Sequence, residues 1–136
     1  MENHSETIGV TKKDVLQFAE ERFNVLPEYL WQKYPEYFVL RRKDDKKWFA
    51  VFMSVKKIAL NISDDGKADI LAVKCDPQMR DILLHENGVL PAYHMNREHW
   101  ICVLLDGSVR KDLVFGLIEE SFDAACKNAK GKVKNA

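Results

Sequence analysis

Tyr93, His94, Asn96, Arg97, His99 and Trp100 gather two imidazoles, an amide, a guanidinium and two aromatic rings into one short stretch. Such a set can hold an anion through Arg97 and His94 while Tyr93 or Trp100 stacks on a planar group. The same residue types also build hydrogen-bonded corners that fix where a strand begins, with no ligand involved, and both readings stand at this level. Metal binding is not expected. The interval between His94 and His99 fits neither the i,i+4 face of a metal-binding helix nor a finger spacing, and no acidic cluster accompanies them. Trp31 and Lys74 join the candidate ligand-binding set, Trp31 as a groove-forming ring beside the loop.

A second chemistry is phosphate contact. Arg41, Arg42, Lys43, Lys46, Lys47, Lys56 and Lys57 fall within residues 41–57, opposed by Asp44 and Asp45 alone. Cations spread over a hairpin tip can displace counterions from a duplex, and a two-stranded ribbon fits a major groove. Against this, lysines also solubilise exposed sheet edges and keep them from pairing with other chains. Basic and acidic residues number 21 each, so net charge supplies no long-range attraction to a polyanion.

Nucleophilic and acid–base chemistry find little support. Cys102 lies in an apolar run and reads as a buried, inert thiol; Cys75 precedes a helix start but has no base beside it. Asp44-Asp45, Asp64-Asp65 and Glu119-Glu120 are adjacent acids of the kind that are solvated in turns or on helix surfaces. With no nucleophile, base and orienting group to name, the chain is expected not to be an enzyme and to need no cofactor.

The elements that must position these residues are legible from periodicity. Thr11 and Asp14 have capping-box form, and Val15, Phe18, Ala19 and Phe23 follow at helical spacing, predicting a helix over 12–23. Residues 38–42 and 48–55 flank a polar five-residue connection and predict a hairpin. Ile58 to Ile62 alternates apolar and polar residues as a strand does, Asp64-Asp65-Gly66 marks a turn, and 70–75 predicts another strand. Asp76-Pro77 starts a short helix to about residue 86, with Met79, Ile82 and Leu83 as its buried face and Gly88 ending it. Residues 99–105 predict a central strand, and Ser108 caps a final helix carrying Leu113, Val114, Leu117, Ile118, Phe122 and Ala125. This order implies one α+β domain over residues 1–126, a two-layer sandwich with helices packed on one face of an antiparallel sheet, followed by a lysine-rich flexible tail at 127–136.

Lys74-Cys75-Asp76-Pro77, then Pro91-Ala92-Tyr93-His94-Met95-Asn96, then His99-Trp100 and Leu105-Asp106-Gly107-Ser108 together give the chain a specific likeness. The pattern resembles the MmcQ/YjbR family of small bacterial proteins over about residues 12–124, with Trp31 and Tyr34-Pro35 matching further family elements. The resemblance implies a CyaY-like (frataxin-like) fold and a DNA-binding role in which paired hairpin projections act as wings, Lys56-Lys57 reinforcing one of them. Ala92 stands where the family often has glycine, and the tail lies outside the shared region. Iron binding does not follow from the fold, since Asp14, Glu20 and Glu21 are too few for an acidic iron surface.

The functional expectation is a non-enzymatic protein contacting DNA weakly and salt-sensitively through the basic hairpin wings. The alternative is a small-ligand or protein-interaction domain centred on the Tyr93–Trp100 loop. Three widely separated cysteines without a C-x-x-C pair suit a reducing cytoplasm, and no apolar run approaches the ~18 residues of a membrane span.

Overall fold

A computed structural model describes residues 9–135, with side chains described through residue 124. Helix α1, Lys12–Phe23, begins where Thr11 and Asp14 exchange hydrogen bonds of 3.2 and 3.0 Å, the expected capping box. It stops at Asn24, whose left-handed φ of 58° lets its N–H close on the Glu20 carbonyl. Val15 and Ala19 are fully buried on its inner face. Phe18 and Phe23 stack on Phe115 and Phe122 at 4.1 and 4.3 Å between ring centroids, tying α1 to the last helix.

Among the described residues five strands form one antiparallel sheet. They are β1 (Phe38–Arg41), β2 (Trp48–Lys56), β3 (Lys67–Lys74), β4 (Val89–Pro91) and β5 (Trp100–Leu104), in the order β1-β2-β3-β5-β4. Helix α2 covers Pro77–Leu83 and α3 covers Lys111–Asn135. The flexibility expected of residues 127–136 lies outside the described side chains, while the backbone of α3 continues through that stretch to Asn135.

Both sheet faces are buried, for different reasons. Phe38, Leu40, Phe52, Leu71, Val73, Ile101 and Val103 face α1 and α3. Val39, Val51, Met53, Ile70, Ala72 and Cys102 face the other way, under Trp31, Tyr37, Tyr93 and Met95 from the connecting segments. The helices therefore pack on one face, as expected, and aromatic loops cover the second. A bulge decides which rings go where. Leu40 pairs with Ala50 but Arg41 with Trp48, so Phe49 is the extra residue. Phe49 joins Ala50 on the helix face, and Trp48 turns onto the loop face to meet Trp31 at 6.0 Å.

Several sequence expectations are corrected. Residues 58–62 are not a strand: Lys57–Leu60 is a 3-10 turn closed by Asn61 at φ 63°, leaving Ile58 72% exposed. The alternation there reflects a turn over the loop face, since Leu60 and Ile62 still pack inward. Val89–Pro91, read as loop, is the edge strand β4, too short for a periodicity signal. Consequently β5 is interior, but it lies one strand from the edge. In α2 only Leu83 packs on the core, while Met79 and Ile82 face outward. Ser108 does not cap α3; its N–H and hydroxyl donate to Asp106, and the first helical bond runs from the Val114 N–H to the Arg110 carbonyl. Gly88 precedes β4 at φ 92°, and a Cβ there would meet Val109 Cγ2 at 2.6 Å.

Candidate functional site

The basic hairpin is less basic in space than in sequence. Arg42 is buried: its Nη1 donates to the Phe122 carbonyl at 3.1 Å, its Nη2 pairs with Asp44 at 2.8 Å, its Nε faces Asp45 at 3.3 Å, and its guanidinium lies 4.2 Å from the centre of the Phe122 ring. Arg41 is half-buried and paired with Glu28 at 3.1 Å. Lys43 and Lys46 remain exposed at the tip, with Lys47 partly so. Lys56 and Lys57 sit at the other end of β2, roughly 26 Å away at about 3.3 Å per residue, and Lys57 is paired with Asp64. Of the seven expected phosphate-contacting residues, Lys43, Lys46 and Lys47 lie at the hairpin tip and Lys56 and Lys57 at the far end of β2. Arg42 is turned away from the surface because Phe122 of α3 covers its side chain.

The Tyr93–Trp100 segment divides between structure and exposure. The Asn96 side chain accepts from the Glu98 and His99 N–H groups at 2.8 and 3.3 Å, and its carbonyl accepts from His99 and Trp100. Asn96 thus builds the corner that launches β5, one of the two roles its residue type allows. His94 holds a left-handed φ of 61° with its ring 4.1 Å from Tyr93. Tyr93 closes on Tyr37, whose phenol is pushed up by burial first and then by the neighbouring phenols of Tyr93 and Tyr34. Trp31 contacts Tyr37 and Trp48. Trp31, Tyr93 and His94 therefore belong to an aromatic belt over the loop face. Arg97 is exposed, with no ion pair among the described residues.

The other candidates meet elsewhere. The Cys75 N–H donates to the His99 carbonyl at 2.8 Å, drawing the end of β3 to the start of β5. The Ser121 hydroxyl accepts from the Lys74 N–H and donates to the Phe49 carbonyl, fixing α3 beside the same point. Between these pins opens a cleft of about 540 Å³ lined by Lys74, Cys75, Asp76, Pro77, Met79, His99, Glu120, Asp123 and Ala124. Lys74 Nζ lies 5.7 Å from the Trp100 ring centre. Asp76 caps α2 by accepting from the Gln78 N–H at 2.9 Å.

Lys74 and His99 are thus brought together, whereas Trp31, Tyr93 and His94 are not part of their cleft. Asp76, Met79, Glu120 and Asp123 were missed as site residues. The Asp76-Pro77 pair read only as a helix start, and Glu120 only as half of a solvated acid pair; a side chain 46 residues away gives no sequence signal of sharing a wall with Lys74.

Neither described thiol is poised as a nucleophile. Burial pushes Cys102 up to about 11 and raises Cys75 as well. Among the described residues no group of three or more metal-ligating side chains forms, and no helix is long and apolar enough to cross a membrane.

Comparison with known proteins adds the following similarities. The family model described as YjbR matches residues 21–124. The uncharacterized protein YyaQ of Bacillus subtilis is 37% identical over 113 residues, covering 83% of this chain and 96% of that one. The uncharacterized protein YjbR of Escherichia coli is 30% identical over 56 residues, 40% of this chain and 48% of its own length. A crystal structure of a Pseudomonas syringae protein superposes with a TM-score of 0.83 at 34% identity, over 85% of this chain and 99% of that one.

Proposed function

The chain belongs to the YjbR family, and from that premise we propose that it is a non-enzymatic binding protein that takes its ligand in the cleft between α2 and α3. One observation carries this reading: Lys74 and His99, both in the candidate ligand-binding set and 25 residues apart in the chain, line the same cleft of about 540 Å³, within the range that small ligands occupy. The burial of Cys102 favours binding over covalent catalysis at that thiol. We also infer a CyaY-like (frataxin-like) relation, supported by α1 and α3 lying together on one face of an antiparallel sheet. The free thiols of Cys75 and Cys102 fit a reducing cytoplasm.

Backbone amide spectra recorded against a panel of free amino acids are the test. Resonances of Lys74, Cys75 and His99 should move first. A panel that leaves the cleft untouched while duplex DNA moves residues 43–47 would transfer the function to the hairpin. That second reading, a DNA contact by a double wing, is favoured by the exposure of Lys43 and Lys46 at the hairpin tip. The other projection, residues 57–66, would be its second wing.

A further inference from the structure

Helix α2 packs Leu83 on the core but presents Met79 and Ile82 to solvent. Met79 and Ile82, three residues apart and so on one face, are 43% and 59% exposed, and Met79 lines the cleft with Pro77. On the α3 wall Glu120 and Asp123 share a helical face by the same spacing, both exposed and neither with an ion pair among the described residues. Asp76 adds a third carboxylate. Among the described residues Lys74, drawn toward the Trp100 ring, is the one lysine or arginine lining the cleft.

An acidic wall beside an exposed aliphatic strip is complementary to a chain segment of the opposite sign. We propose that the cleft docks a short segment of a partner protein in which basic residues alternate with aliphatic ones. Its cation lies against Glu120 and Asp123, and its aliphatic side chains cover Pro77, Met79 and Ile82. The apolar strip continues past the cleft to Ile82, a footprint longer than one small molecule fills, and the carboxylates repel a nucleic acid from this face. The inference rests on the binding-protein reading above and names the occupant of the same cleft.

The experiment titrates the full chain with an eight-residue peptide of alternating leucine and lysine, followed by backbone amide spectra at near-physiological salt. Shifts should cluster at residues 74–79, 99 and 120–124, and the counterpart with glutamate for lysine should give none. Glu120→Lys with Asp123→Lys should weaken binding roughly tenfold or more, as charge reversal at a contact does. Met79→Ser with Ile82→Ser, which alters exposed positions, should weaken it several-fold. Unmoved cleft resonances, or equal binding by the charge-reversed variant, would overturn the proposal. If the peptide fails while free amino acids still move Lys74 and His99, only this inference falls. If neither moves the cleft, the binding reading falls with it.

Discussion

The Arg42 guanidinium is held from several sides at once, by the Asp44 and Asp45 carboxylates, the Phe122 carbonyl and the Phe122 ring. Replacing it with alanine removes a charge-assisted bond and a buried ring contact together. Arg42→Ala should lower stability by about 2–3 kcal/mol in urea unfolding, less than breaking a fully buried ion pair costs because Asp44 is itself solvated. The same pair makes stability pH-dependent. The hydrogen bond from Arg42, helped by the Asp45 N–H, holds the Asp44 carboxyl below the usual aspartate range. A carboxylate depressed on folding contributes in full above its unfolded pKa, about 4, and loses that contribution as acid protonates the folded form below it. Asp44→Asn should therefore narrow the stability gap between neutral and acid pH, and an unchanged gap would remove Asp44 from the account.

At the scale of elements, the Ser121 hydroxyl seats α3 on both β2 and β3. The hydroxyl is fully buried and serves two backbone groups from different strands. Ser121→Ala leaves the Lys74 N–H and the Phe49 carbonyl to find new partners in a region water does not reach. The expected cost is about 2 kcal/mol, read as a lower unfolding midpoint with an unchanged denaturant slope. Because Lys74 lines the cleft, the same variant should shift the Lys74 and His99 amide resonances even before it unfolds. A midpoint equal to the parent's would show that the Ser121 bonds add nothing to the hold of the apolar face of α3, formed by Val114, Leu117 and Ile118.

For the whole molecule, the balanced total charge conceals an uneven surface. The hairpin tip carries Lys43, Lys46 and Lys47, the far end of β2 carries Lys56, and carboxylates outnumber lysines and arginines among the described residues of the α2–α3 cleft. Three tip lysines allow only about three phosphate contacts, so DNA binding through the hairpin tip alone should lose affinity with a log–log salt slope of about 2–3. Neutralising Lys43, Lys46 and Lys47 should flatten that slope. A slope much steeper than this, or one that survives their removal, would place the contact on a different surface.

The local elements could be read from the chain because their causes are local. The Thr11–Asp14 capping box, the Asp76-Pro77 helix start and the apolar run of β2 after its polar turn depend on neighbours a few residues away, and they define the α+β class. The Lys74–Pro77 and Pro91–Trp100 motifs likewise pointed to the family and to Lys74 and His99. Other features depend on contacts across the fold. The bulge at Phe49 sends Trp48 to the loop face, α3 closes over Arg42, and the Cys75–His99 and Lys74–Ser121 hydrogen bonds bring β3, β5 and α3 to one point. Sequence alone thus determined which residues carry charge, rings and caps. Which of them are spent on holding the fold and which are left facing a cleft was decided by tertiary structure, because burial and pairing are set by residues far apart in the chain.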